Sequence, residues 1–153
     1  MISDKIYSGF KGLIKIPGDK SISHRSIIIP SISVGITEIN NILMSEDVLH
    51  TLKAFQALGV KIENTNNKIF IHGNGLNSLA QSKKEIYLGN SGTSARLLLG
   101  LLASQNFISD LSGDISLSSR PMGRIMDPLN LMGARIDSTD NKLPIRIYGQ
   151  KLK

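Results

Sequence analysis

The sequence predicts an α/β protein built from two copies of a β-α-β-α-β-β unit, and three observations lead there. The first is an internal repeat. Leu58-Gly-Val-Lys-Ile-Glu-Asn-Thr-Asn-Asn-Lys68 and Met132-Gly-Ala-Arg-Ile-Asp-Ser-Thr-Asp-Asn-Lys142 share five of eleven residues, where ordinary composition gives about one. The second is that each copy runs on into a short apolar strand closed by glycine, Ile69 to Gly73 and Ile145 to Gly149. The third lies upstream, where Ser21-Ile-Ser-His-Arg25 and Gly92-Thr-Ser-Ala-Arg96 each open an apolar run.

Taken in order, residues 13–16 read as a short strand and 21–33 as a helix. Pro30 falls inside that helix, where proline costs about 3 kcal/mol and should kink or shorten it. Residues 37–42 read as a second strand. Residues 46–58 follow as a helix, with Val48, Leu52, Phe55 and Leu58 on one face. Gly59 stands where a left-handed cap is wanted. A hairpin of 60–63 and 69–72 turns through Asn64-Thr65-Asn66-Asn67, residues that tolerate turn geometry. In the second copy the equivalents are 85–88, 92–104, 107–112, 121–132, and a hairpin of 135–137 with 145–148. Pro121 suits the first position of its helix, which needs no amide donor. The units are thus 17–73 and 85–149, joined by a polar linker at 74–84, with 1–16 in front and a tail at 150–153.

Composition narrows the function. The chain has 153 residues, 41% hydrophobic and 20% charged, a length suited to about one soluble globular domain. Apolar runs such as 97–103 fall far short of the roughly 18 residues that span a bilayer. Met1-Ile2-Ser3-Asp4-Lys5 has no secretory pattern, so a cytoplasmic protein is the expectation. There is no cysteine, and the three histidines, His24, His50 and His72, show no metal-ligand spacing. Eighteen basic against 12 acidic residues give a net charge of +6, which suits an anionic partner. The bases are dispersed, and aromatics are 5% with no tryptophan, which supplies no stacking platform for nucleic acid. A compact phosphate or carboxylate site fits better.

Helix starts carry the candidate chemistry. Gly18-Asp19-Lys20-Ser21-Ile22-Ser23-His24-Arg25 sets a glycine turn, a lysine and hydroxyls at a helix N-terminus, where free amides and the dipole favour an anion. Ser21 and Arg25, four apart, share a face. The competing reading is a helix capped by Ser21 with solvated bases. Gly89-Asn90-Ser91-Gly92-Thr93-Ser94-Ala95-Arg96 repeats the pattern, and Gly92 leaves no Cβ between backbone and oxyanion. It lacks the Gly-Lys-Ser/Thr ending of a Walker loop. Ser118-Ser119-Arg120-Pro121 sets an arginine beside the next helix.

Pro17 to Arg25, Leu88 to Arg96 and Ser119-Arg-Pro-Met122 resemble three signature segments of the 5-enolpyruvylshikimate-3-phosphate synthase family, in its order and spacing. The resemblance covers nearly all of this chain but only about the first third of a family member. It implies the enolpyruvyl transferase fold, an inside-out α/β barrel, with two of six units present. By the same comparison, residues 1–16 would pair with a second domain outside this sequence. The resemblance implies transfer of enolpyruvyl from phosphoenolpyruvate to shikimate 3-phosphate, in aromatic amino acid biosynthesis, without metal or cofactor. Lys20 would touch both substrates, and Ser21 and Arg25 the shikimate 3-phosphate. Gly92 and Arg120 would line the phosphoenolpyruvate site, with Asn90 nearby. The acid/base groups would lie in the second domain, so this chain holds no catalytic residue of its own. Glyphosate is the implied inhibitor. A remnant that binds without turning over is the alternative. The related transferase acting on UDP-N-acetylglucosamine fits less well, since Ser21 rather than asparagine follows Lys20 and no cysteine is present. Two units alone should leave the apolar faces of 27–29 and 97–102 open to self-association.

Overall fold

A computed structural model describes residues 11–65 and 68–153. Residues 1–10 of the predicted amino-terminal segment, and Asn66-Asn67 of the predicted turn, lie outside the described residues.

The first half contains helix α1 (Lys20–Ser31), strand β1 (Val34–Asn40), helix α2 (Glu46–Ala57), and the hairpin β2 (Lys61–Thr65) and β3 (Lys68–Asn74). Its sheet runs β1-β3-β2, antiparallel throughout. The second half contains β4 (Ile86–Tyr87), α3 (Gly92–Ala103), β5 (Ile108–Ser112), α4 (Ile115–Ser118), α5 (Gly123–Leu131), β6 (Arg135–Thr139) and β7 (Lys142–Tyr148). Its sheet runs β4-β5-β7-β6, with β4 parallel to β5 and the rest antiparallel.

Alternation along the central strands shows why one face of each sheet is covered. In β3, Ile69, Ile71 and Gly73 are buried, and in β7 Leu143, Ile145 and Ile147. Period-two apolar patterning buries one face and leaves the other to water. The helices pack on the buried side in one continuous core that includes Ile27, Val48, Phe55, Leu58, Leu98, Leu99, Leu102 and Leu117. Helix α2 touches α1 on one side and α3 and β4 on the other, so it joins the two halves.

The two second helices end alike. Gly59 and Gly133 hold φ of +89° and +91°, a region glycine enters at little cost. Gly59 N–H donates to Gln56 O and Val60 N–H to Phe55 O; Gly133 N–H donates to Asn130 O and Ala134 N–H to Leu129 O. This glycine-capped ending turns each chain into its hairpin.

Three local expectations need correction, and the one for Pro30 is met. Residues 13–16 form no strand: they have no ladder partner among the described residues, and Leu13 is fully exposed. Helix α1 is capped not by Ser21 but by Asp19, whose side chain accepts from Ile22 N–H at 2.7 Å. Pro30 shortens the helix, which stops at Ser31, and its effect is small because it sits in the last turn. Helix α5 starts at Gly123, two residues past Pro121: Met122 is its cap, at φ −109° and ψ 1°, and gives its N–H to Asn141 O at 2.8 Å. The short α4 went unpredicted because Ile115-Ser-Leu-Ser118 has no apolar period. It exists through the Asp114 cap on Leu117 N–H (2.7 Å) and the complete burial of Leu117.

Candidate functional site

At the start of α1, Lys20 and Ser21 occupy the first turn and Arg25 follows one turn later, all exposed. Lys20 Nζ forms an ion pair with Asp47, in the first turn of α2. One turn further along both helices, His24 Nδ1 meets Thr51 Oγ1 at 2.7 Å. Residues 20 and 24 thus engage residues 47 and 51 as two matched pairs. Ser23 Oγ donates to Asp19 O at 2.7 Å and accepts from Leu43 N–H at 3.0 Å, which fastens the loop after β1 to the same helix start. Arg25 borders a shallow, mostly apolar cleft with Ile22, Ser26, Ile29 and Glu38.

At the start of α3, Ser91 is the cap, accepting from Ser94 N–H at 3.3 Å. Gly92 opens the helix, and two guanidinium groups converge over it. Arg96 Nη1 donates to Gly92 O at 3.1 Å and Nη2 to Pro121 O at 3.4 Å. Arg120, seated by α4, bonds to Asn90 Oδ1 and to Ser116 Oγ, the latter at 3.3 Å. A methyl placed on Gly92 would stand 2.7 Å from Arg96 Nη1 and 3.1 Å from Arg120 Nη1. The bare backbone therefore lets two forked cations close on one helix N-terminus, an arrangement suited to a carboxylate or phosphate.

The two starts are joined through the interior. Thr51 Oγ1 lies 2.5 Å from Ser94 Oγ, which lies 2.6 Å from Ser91 Oγ. His24, Thr51, Ser91 and Ser94 are all essentially buried. Burial pushes the His24 imidazole below its ordinary pKa, with Asp47 pulling weakly the other way. An open cleft of about 530 Å³ lies elsewhere, on the exposed face of the second sheet. Glu85, Asp110 and Asp137 line it beside Arg146, and the Arg146 fork is taken up by Asp110 at 2.7 and 2.9 Å. A carboxylate-rich wall does not suit an anion, so the helix starts are the stronger candidate.

The sequence profile of EPSP synthase (3-phosphoshikimate 1-carboxyvinyltransferase) matches residues 5–153. This chain belongs to the EPSP synthase family. A relative from Vesicomyosocius okutanii, a 3-phosphoshikimate 1-carboxyvinyltransferase, is 57% identical over 143 residues, which is 93% of this chain and 33% of the relative. One from Oceanobacillus iheyensis, of the same name, is 50% identical over 149 residues, 96% of this chain and 35% of the relative. The solved EPSP synthase of Acinetobacter baumannii superposes with a TM-score of 0.90 at 49% identity, covering 94% of this chain and 33% of that one. The mixed α/β fold is thus that of an EPSP synthase, and the chain spans about a third of the length of the relatives it matches.

Of the residues singled out from sequence, the fold gathers Asn90, Gly92 and Arg120 into one cluster. It sets Lys20, Ser21 and Arg25 along the other helix start. Arg96 was missed, although it ends the second motif where Arg25 ends the first. Thr51 was missed too, and no local signal marked it: it sits mid-helix with no motif around it.

Proposed function

We propose that this chain supplies the substrate-gripping share of an enolpyruvyl transferase that joins phosphoenolpyruvate to the 5-hydroxyl of shikimate 3-phosphate and releases phosphate. The observation that carries this is the pairing of two cationic helix starts, one of them with Arg96 and Arg120 closing on Gly92. Lys20, Ser21 and Arg25 hold shikimate 3-phosphate, with Lys20 exchanging Asp47 for substrate oxygens. Gly92, Asn90 and Arg120 hold phosphoenolpyruvate. A proton adds to the methylene carbon of phosphoenolpyruvate while the 5-hydroxyl, giving up its own proton, attacks the neighbouring carbon to give a tetrahedral intermediate. Loss of phosphate together with a proton from the new methyl group forms the enol ether. The groups that move those protons belong to the length of the relatives that this chain does not span. The work done here is binding and orientation, which can supply roughly 7–11 kcal/mol of the barrier. No metal or organic cofactor enters this reading, and glyphosate competes at the Gly92 end.

The same reading takes residues 17–73 and 85–149 as repeat units of an inside-out barrel, with 74–84 between them, 1–16 leading to a second domain and 150–153 as a tail. The matching strand orders, β1-β3-β2 and β5-β7-β6, support it. So do the twin caps at Gly59 and Gly133. Of the helix faces expected to be open, Ile27, Leu98, Leu99 and Leu102 are buried and the others are partly or largely exposed. Ile22, Ile29 and Leu97, at 59%, 55% and 45% exposed, are open to a neighbouring unit or to self-association. The cytoplasm is the setting for this chemistry, and no helix among the described residues is long and apolar enough to cross a membrane.

The test is a chimera in which residues 5–153 replace the matching third of the Acinetobacter baumannii enzyme. Phosphate release from the two substrates should persist in the chimera and be absent from residues 1–153 alone. A folded chimera without turnover refutes the assignment.

A further inference from the structure

We propose that Thr51 is a positioning residue for both helix starts, acting through His24 on one side and Ser94 on the other. The inference rests on the reading above that these starts hold two anions. Thr51 is completely buried, and its hydroxyl is the junction of three helices. It donates to Asp47 O at 3.2 Å within α2, and it meets His24 Nδ1 of α1 at 2.7 Å and Ser94 Oγ of α3 at 2.5 Å. Ser94 passes the contact to Ser91, the cap whose neighbour Gly92 receives both guanidiniums.

One proton assignment serves every hydrogen bond around Thr51 and leaves only His24 Nε2, buried, without a partner. Ser91 donates to Ser94, Ser94 to Thr51, and Thr51 to the Asp47 carbonyl, while His24 donates from Nδ1 to Thr51. Each hydroxyl then gives one hydrogen, and Thr51 accepts twice with its two lone pairs. Removing the Thr51 oxygen strands a buried donor on each flank, a large penalty in an interior of low dielectric. The two side chains would turn to find other partners. His24 would carry Lys20 and Arg25 with its helix, and Ser94 would carry the cap that sets Gly92. A hydroxyl in contact with no substrate would thus set the distance between two substrate sites.

The variants are Thr51→Val, which keeps the volume and loses the hydroxyl, Thr51→Ser, which does the reverse, and Ser94→Ala, which cuts only the α3 arm. All are made in the chimera described above. Thr51→Val should raise KM for both substrates by about fivefold or more, and weaken competition by inorganic phosphate to the same degree. Thr51→Ser should stay within about twofold of the parent, although its lost methyl lowers the melting temperature. Ser94→Ala should raise KM for phosphoenolpyruvate alone. If Thr51→Val and Thr51→Ser both melt earlier and leave KM unchanged, the hydroxyl is merely structural and the proposal falls. It falls equally if Thr51→Val affects one substrate only, or if Ser94→Ala affects shikimate 3-phosphate. Should Thr51→Val fail to fold, the Ser94→Ala result decides. A parent chimera without turnover would count against the proposed function, whereas an active parent with insensitive variants counts against Thr51 alone.

Discussion

Gly92→Ala separates stability from ligand binding more sharply than any other single change to this chain. Gly92 is the first residue of α3 and has an ordinary helical backbone, so alanine brings no conformational strain. Its effect on folding should lie between zero and a gain of about 1 kcal/mol, since alanine is the better helix former. The new methyl would stand 2.7 Å from Arg96 Nη1 and 3.1 Å from Arg120 Nη1, where ordinary contact begins at 3.4 Å. The two guanidiniums must therefore recede by 0.7 and 0.3 Å, the differences from 3.4 Å. Both are the ends of flexible side chains, so they can move. They then no longer close on the helix start, and the methyl itself fills the approach to its amides. Losing the equivalent of one charge-assisted contact costs about 1.5–3 kcal/mol, or roughly 10–150-fold in affinity. Calorimetry of the chimera should show that loss for phosphoenolpyruvate, and a larger one for glyphosate, the larger ligand with less slack. Thermal melting should show no loss. Unchanged affinity would refute the placement of the anion at Gly92, and so would weakened binding that merely tracks a fall in melting temperature.

Arg25→Ala in the same chimera should weaken shikimate 3-phosphate by about tenfold or more without altering the fold; unaltered affinity by calorimetry would remove Arg25 from the site. Acid should destabilise the chain through His24. Its folded pKa is depressed by burial, so the unfolded chain binds the proton more readily. The stability it contributes is complete above about pH 6.5 and declines as the pH falls from there toward the folded pKa. Melting temperatures between pH 7.5 and 5.5 should show this slope, His24→Asn should flatten it, and an equal slope in that variant would assign it to other groups. Asp114→Ala removes the cap of α4 and should cost about 1 kcal/mol in urea unfolding. Because α4 carries Ser116 under Arg120, phosphoenolpyruvate affinity should fall with it; a loss of stability alone would show that α4 does not seat the arginine.

What the sequence alone determined is whatever is written in local order. Apolar spacing and turn residues marked four of the five helices and all seven strands to within a few residues, and added one at 13–16 that does not form. The repeat put Gly59 and Gly133 in the same turn, and the three motifs put Lys20, Arg25, Gly92 and Arg120 at or near helix starts. These features depend on neighbours a few residues apart, on caps, turn residues and side-chain period, so a linear reading reaches them. Tertiary structure decided the rest, because the deciding partner was distant in the chain. Residues 13–16 look like a strand but have no ladder beside them among the described residues, and an extended segment without one is only extended. Pro121 is suited to open a helix, yet Met122 stays outside it at φ −109°, bonded to Asn141 of the distant β6–β7 turn, and the helix begins one residue later. Asp19 is the cap because the helix begins at Lys20, one residue earlier than predicted, which places Ser21 inside the first turn. Thr51 is the plainest case. Nothing around it in sequence distinguishes it from an ordinary residue of an amphipathic helix. Its meaning comes from His24, 27 residues before it, and Ser94, 43 residues after it, which only packing of α1, α2 and α3 brings within hydrogen-bond reach.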